Sequence, residues 1–201
     1  MLEKILQLTN AELDDIDMMP IYEQFPAIPE REYLLNKSGI DHYRLLVWLS
    51  LQAERNGTSS SIIELGTYQG LSAACLAVNP SIYLSSFDTD FRYLQWKAPL
   101  SSSKNIRFLL VNDEDALPDA AFLLYADIIF CDTWHNGKME KELFEVLKKW
   151  NWVGLLIYDD IYYNNAMKEF WNSIDHPRKA DISHLGHITG TGIIDFSYDI
   201  N

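Results

Sequence analysis

The chain is short of cysteine, of basic residues and of long apolar runs, and each shortage removes a class of function. Its two cysteines, Cys75 in a helix pattern and Cys131 in a strand pattern, lack metal or redox spacing. They are expected to be small buried hydrophobes with no disulfide. Only 16 Lys and Arg stand against 29 Asp and Glu, a formal net charge of -13 at pH 7. A phosphate backbone rewards clustered cations through counterion release, so nucleic acid and an anionic membrane surface are disfavoured as partners. No apolar run approaches membrane-spanning length, and the opening Met1 to Leu8 is too short and too interrupted by charge for a signal peptide. The expectation is a soluble cytoplasmic protein.

The stretch from Ser61 to Ala77, SIIELGTYQGLSAACLA, is also defined by what it lacks. It runs from an apolar strand pattern through Gly66 and Gly70 into a helix pattern. No Lys follows Gly70, which removes a phosphate-binding P-loop. Gly66 is followed by Thr67 and Tyr68, which removes the Gly-x-Gly-x-x-Gly dinucleotide fingerprint. What remains is Glu-x-Gly-x-x-x-Gly, a turn that lets a ligand approach the backbone. Glu64 at its start would repel a pyrophosphate and suits a ligand carrying positive charge and hydroxyls.

With 201 residues and 48% hydrophobic content the chain can bury one full core. Residues 1–57 read as a helical N-terminal extension, a lid or dimer contact, with a capping box at Thr9 to Glu12 and breaks at Pro20, Pro26 and Pro29. A helix is expected over Asp41 to Ala53, ended by Asn56-Gly57. Strands follow at Ser61–Leu65, Ile82–Phe87, Ile106–Val111, Ile128–Cys131 and Val153–Tyr158, alternating with helical stretches. This predicts an α/β fold: a three-layer Rossmann-like sandwich with a mostly parallel sheet, residues 58–201 forming the ligand-binding domain and the whole chain one compact unit. The first, fourth and fifth of these strands are nearly all apolar, as central strands are. Ala180–Ile188 and Gly192–Asp199, joined through Thr-Gly-Thr-Gly, read as a closing antiparallel β-hairpin.

The acids fall in a pattern. Glu64 lies near the end of the first strand, Asp88 just after the second with Asp90 as an alternative, Asp132 after the fourth, and Asp159 and Asp160 after the fifth. In an open parallel sheet the carboxyl ends share one edge, and ligands bind in the crevice outside it. Any one of these acids alone reads as loop solvation or a helix cap; the shared register points to a site. Asp88 is placed to accept from a ribose diol.

In this order and spacing, IIELGTYQGLSA, SSFDTD, ADIIFCDTWHNG and GLLIYDDI resemble the class I S-adenosylmethionine-dependent methyltransferases, over roughly residues 40–200. The form Glu-x-Gly-Thr-x-x-Gly-x-Ser, with Asp-x-x-His and then Asp-Asp, is similar to the small-molecule O-methyltransferases, including macrocin and catechol types. Tyr68 stands where the general family motif has its middle glycine. The resemblance implies that the turn of Glu64, Gly66, Thr67, Tyr68, Gly70 and Ser72 holds the methionine part of S-adenosylmethionine. It further implies that Asp88 holds the ribose, Asp113 lies near the adenine, and the methyl group points toward Asp132 and Asp159-Asp160. A sulfonium and an α-ammonium without phosphate match an acidic crevice.

Adjacent carboxylates repel unless one is protonated or a cation sits between them. Asp132, Asp159 and Asp160 are therefore candidate ligands for Mg2+ or another divalent cation, which prefers oxygen and would acidify a bound hydroxyl. That triple-acid arrangement matches the metal-dependent members of the resembled family. Asp132 with His135 forms the candidate catalytic pair, His135 serving as general base or as a structural loop residue. His184 and His187, three apart in a strand pattern, and His42, in a helix pattern, read as packing or surface residues. Trp134, Tyr162 and Tyr163 flank the acids and read as packing, with lining of an acceptor pocket the alternative. The expected activity is methyl transfer to a hydroxyl of a small molecule, with a homodimer possible. A non-catalytic cofactor-binding domain and a nicotinamide-dependent oxidoreductase are the alternatives.

Overall fold

A computed structural model of the chain describes residues 1–55, 58–97, 105–112 and 117–198. The N-terminal segment forms α1 (Leu2–Gln7), α2 (Asn10–Asp14), α3 (Met19–Tyr22) and a 3-10 helix at Pro29–Leu35. The expected capping box closes α2: the Thr9 hydroxyl accepts from the Glu12 N–H, and the Glu12 carboxylate accepts the Thr9 N–H at 2.9 Å. This segment is a packed layer. Ile5, Leu13, Phe25 and Leu34 join the same apolar cluster as Ile62, Leu84 and Phe130 of the sheet.

Helix α4 (Tyr43–Gln52) follows, and the chain then turns into a small antiparallel pair, β1 (Glu54–Arg55) with β2 (Thr58–Ser59). The expected stop signal Asn56-Gly57 lies outside the described residues. Next come β3 (Ser61–Leu65), α5 (Leu71–Leu76), β4 (Tyr83–Asp88), β5 (Ile106–Leu110), α6 (Ala120–Leu124) and β6 (Ile128–Cys131). The chain continues through α7 (Lys138–Lys149), β7 (Leu155–Asp159), α8 (Asn165–Ser173), β8 (Lys179–Asp181) and β9 (Thr191–Asp195). The five strands read from the sequence are all present, shifted by two residues at most.

The main sheet has seven strands in the order β5-β4-β3-β6-β7-β9-β8. The first five are parallel, and β9 runs antiparallel between β7 and β8. The nearly all apolar strands β3, β6 and β7 occupy its centre, as their sequences predict. Successive side chains alternate between faces, and the two faces carry separate cores. Ile62, Phe130, Leu155 and Ile157 meet the N-terminal layer, α4 and α5, while Ile63, Ile129, Leu156 and Tyr158 meet α7 and α8.

The closing hairpin is shorter in strand and longer in turn than the sequence suggests. Residues 182–190 are not strand, because Asp181 accepts the Ser183 N–H and Ile182 accepts from Leu185 and Gly186, curling the chain. His184 and His187 therefore sit in a turn, where strand alternation no longer sets their direction.

One close approach fixes how β3 and β6 leave the sheet. Gly66 has φ +98, and a Cβ there would lie 1.7 Å from the Asp132 carbonyl oxygen. At Gly70 (φ +85) the nearest atom is the Leu94 Cδ1 at 2.8 Å, the end of a flexible side chain. Gly66→Ala is expected to cost about 3 kcal/mol or more, and clearly more than Gly70→Ala, in urea unfolding. Equal losses would show that the strand crossing is not what requires the glycine.

Candidate functional site

A cavity of about 430 Å³ opens at the carboxyl edge of the parallel strands. Its walls are the turn from Gly66 to Gln69, Ser72 at the start of α5, Asp88 at the end of β4, and the loop Asp132–His135 after β6. Tyr43 of α4 and Tyr163 close two further sides. Three residues around this opening, Tyr68 (φ 43), His135 (φ 52) and Asp160 (φ 59), hold left-handed backbone without being glycine. Such conformations are costly and persist where surrounding contacts enforce them.

The turn residues named from the sequence are brought together with Asp88. The Tyr68 N–H donates to Asp88 Oδ2 at 2.6 Å, and the Thr89 and Asp90 N–H groups donate to Oδ1 at 2.7 and 3.1 Å. The Asp88 carboxylate is thereby fixed at the cavity wall. Asp90, the alternative, pairs instead with the exposed Arg92 and does not line the cavity. Thr67 is buried, its hydroxyl 2.5 Å from that of Ser86. The space at Gly66 and Gly70 is taken by Asp132, Leu94 and Trp96, so the protein's own atoms already require both glycines. Asp113 lies outside the described residues; Val111 and Pro118 line the cavity on either side of it in sequence.

Glu64 does not stand on the wall. It shares the strand face of Ile62, fully buried, and accepts from the Ser86 hydroxyl. Its Oε1 has no hydrogen-bond partner. Burial pushes its carboxyl up to about 8, against the opposing pull of the Ser72 and Ser86 hydroxyls. The cavity-lining Ser72 thus lies between Glu64 and the opening. The Gln69 side-chain oxygen is likewise buried and unpartnered at the cavity wall. The unpartnered Gln69 oxygen at the wall fits a ligand that brings N–H donors.

The three acids expected to share a metal are interleaved with histidines. His135 Nε2 lies 3.2 Å from Asp132 Oδ1 and 3.4 Å from Asp160 Oδ2. Asp159, on the face of Leu155 and Ile157, turns away to His42 Nδ1 at 3.0 Å and His187 Nδ1 at 3.2 Å. His187 Nδ1 is also 3.0 Å from Asp160 Oδ1. Burial alone would raise Asp159, but the charge of His42 and the hydrogen bond from His187 hold it well below the usual carboxylate range. Burial also opposes charge on His187, yet Asp159 and Asp160 push it up to about 11. Asp132 is raised by burial and by Asp159. His135 is raised because Asp132 outweighs its burial. The repulsion argument for a hard cation is therefore met by imidazoles. An all-oxygen Mg2+ set of Asp132, Asp159 and Asp160 does not fit this arrangement.

His42 and His187 are the residues that reading the sequence missed. Helix periodicity hid His42, which lies just before α4 and is 4% exposed. A signal for His187 was present: once β9 runs antiparallel to β7, Thr191 stands opposite Asp159, and residues just before Thr191 must lie beside the acids. Of the flanking aromatics, Trp134 and Tyr163 line the cavity and are half-exposed or more, while Tyr162 instead donates its hydroxyl to Asp181 at 2.7 Å.

No protein-family profile matches the chain, and no curated protein sequence matches it. Solved structures do. The SAH-bound methyltransferase PaMTH1 of Podospora anserina superposes with a TM-score of 0.55 at 13% identity, covering 92% of both chains. Cofactor-bound Rv0187 from MTB gives 0.56 at 12% identity over 90% of this chain and 88% of its own. A Staphylococcus aureus protein named as a candidate caffeoyl-CoA O-methyltransferase gives 0.56 at 16% identity over 96% and 97%. The fold is that of the class I S-adenosylmethionine-dependent methyltransferases. No helix among the described residues is long and apolar enough to cross a membrane.

Glu64 supplies a measurable linkage. Its folded value near 8 lies above the ordinary 4.5, so between those values the folded state holds a proton that the unfolded state has lost. Stability contributed by this proton is present below pH 4.5 and is lost as pH rises toward 8. Glu64→Gln removes the titration. Its stability relative to the unsubstituted protein should climb by up to about 1.4 kcal/mol per pH unit across that window, read by urea unfolding. Parallel curves would mean Glu64 is ionised throughout.

Proposed function

We propose that the protein transfers the methyl group of S-adenosylmethionine to a hydroxyl of a small molecule. The observation that carries this reading is the placement of a fixed Asp88 carboxylate, the Gly66–Ser72 turn and the Asp132–His135 pair around one cavity at the ligand edge of a methyltransferase fold. S-adenosylmethionine, when bound, supplies an electrophilic methyl on its sulfonium. Asp88, with both oxygens oriented by backbone N–H groups, is the acceptor for the ribose hydroxyls. Gln69 and Ser72 offer oxygens to the cationic amino-acid end, with Glu64 buried behind Ser72. Asp113 remains the candidate beside the adenine. The acidic balance of the chain favours this phosphate-free cation.

His135 is assigned the proton. Its imidazole removes the acceptor hydroxyl's proton as the oxygen attacks the methyl, the sulfur leaving with the bonding pair, and Asp132 and Asp160, beside the buried Nε2, stabilise the imidazolium formed. Trp134 and Tyr163, the latter's ring 5.5 Å from that of His135, offer the acceptor an apolar wall at the opening. A divalent cation held by Asp132 and Asp160 would have His135 nitrogen as a neighbour, so no step here is routed through one. The O-methyltransferase name carried by the Staphylococcus neighbour accords with a hydroxyl acceptor.

Two measurements test the proposal. Calorimetric titration should show S-adenosylmethionine binding that Asp88→Asn weakens at least tenfold, while a nicotinamide dinucleotide gives no heat; the reverse preference would overturn the reading. A base must be unprotonated, and the acids beside His135 raise it above its ordinary 6.5. Methyl transfer to a hydroxyl library should therefore rise with pH along a limb centred above 6.5 and fall at least 100-fold in His135→Ala. Full turnover in that variant would remove His135 as the base.

A further inference from the structure

A second cluster of ligating atoms lies off the cavity, on the side of the sheet packed by the N-terminal layer. His42, Asp159 and His187 each offer one atom, and these atoms all lie within 4.8 Å of one another. None of the three lines the cofactor cavity. We propose that His42, Asp159 and His187 form a divalent transition-metal site of two imidazoles and one carboxylate, selective for ions of the zinc(II) and cobalt(II) kind.

The donor geometry supports this. His42 Nδ1 and His187 Nδ1 approach the same oxygen, Asp159 Oδ2, at 3.0 and 3.2 Å. Ligands about 2.0–2.1 Å from a tetrahedral ion are separated by about 3.3 Å, so small side-chain movements admit one. The second observation is His42 itself. Its side chain is 5% exposed, yet neither ring nitrogen has a hydrogen-bond partner. Its Nδ1 is close to Asp159 Oδ2 without hydrogen-bond geometry, as a nitrogen aimed at a shared point beside the oxygen would be. A buried imidazole normally finds a partner for each nitrogen.

The surroundings resemble the outer shell of a metal centre. Asp41 Oδ1 lies 3.5 Å from His187 Nε2, which places a carboxylate behind a ligating imidazole. The Thr191 hydroxyl donates to Asp159 Oδ1 at 3.3 Å, orienting that carboxylate with Oδ2 toward the imidazoles. Asp160 Oδ1, 3.0 Å from His187 Nδ1, is a fourth oxygen within reach. Two nitrogen donors select against Mg2+ and Ca2+, which take oxygen. The ion would tie the segment before α4, the end of β7 and the turn before β9 at one point. That role is independent of whether the cavity binds S-adenosylmethionine.

The test uses chelator-treated full-length protein and metal alone. Calorimetry with Zn2+ should show one equivalent bound tightly, no comparable heat with Mg2+, and a rise in melting temperature on Zn2+ addition. Bound Co2+ should give visible absorption typical of nitrogen and oxygen ligands. His187→Gln, at a partly exposed position, should weaken Zn2+ by about 100-fold, whereas His135→Ala should keep that equivalent. If His187→Gln fails to fold, the Co2+ spectrum and Zn2+ stoichiometry of the unsubstituted protein still decide. Absence of tight Zn2+ binding, or an equivalent that survives His187→Gln and disappears in His135→Ala, would overturn the site.

Discussion

The structure turns on a buried carboxylate. Asp159 ends the central strand β7 with 2% exposure, and its charge is sustained by His42 from the N-terminal layer and His187 from the C-terminal turn. Removing one partner of such a buried pair leaves an uncompensated charge at a cost of about 3–5 kcal/mol. One oxygen, Asp159 Oδ2, therefore links the segment before α4 and the turn before β9 to the end of β7. Residues 1–42 cannot leave as a free lid without exposing both this charge and the apolar cluster of Ile5, Leu13 and Leu34.

The same alternation that builds the two cores decides which acids can cooperate. Glu64 follows Ile62, Asp132 follows Phe130 and Asp159 follows Ile157 at a spacing of two, so all three fall on the face covered by α4 and α5. Asp160, next to Asp159, would point the other way in a continued strand. Its left-handed φ of 59 ends the strand there, and its carboxylate meets His135, His187 and Thr189. Asp132, Asp159 and Asp160 thus gather around His42, His135 and His187, and among the described residues no Lys or Arg forms an ion pair with them. The histidines are the cluster's own cations, which a strongly acidic chain with few basic residues has to provide locally.

Much of this was legible beforehand. The central placement of β3, β6 and β7 followed from apolar content, because strands buried on both faces carry little polar alternation. The ligand edge followed from Glu64, Asp88 and Asp132 all ending strands. Partnerships between side chains were not legible. Sequence places Asp159 and Asp160 side by side, but their separation into different clusters depends on one backbone angle and on a turn at 182–190. His187 could be placed only once that turn was known not to be strand. Glu64 stood out in the sequence as a candidate cofactor ligand, yet its position behind Ser72 comes from the packing of α5 on β3, which no local pattern encodes.

Strain and electrostatics meet at the opening. Tyr68, His135 and Asp160 each adopt left-handed backbone, and each is held there by a neighbour: the Tyr68 N–H by Asp88, the His135 carbonyl by the Asn164 amide at 2.7 Å, and the Asp160 side chain by Thr189. These three positions are thus held by the side chains of neighbouring residues. A site fixed in this way loses little freedom when a ligand arrives, so binding energy is not spent on ordering the loop. Among the described residues, the exposed rings of Trp134 and Tyr163 carry no such restraint beyond the tilted contact of Tyr163 with His135. Under the proposed function, adaptation to an acceptor would be confined to the rim, while the groups that would hold the cofactor and move the proton are set by the fold.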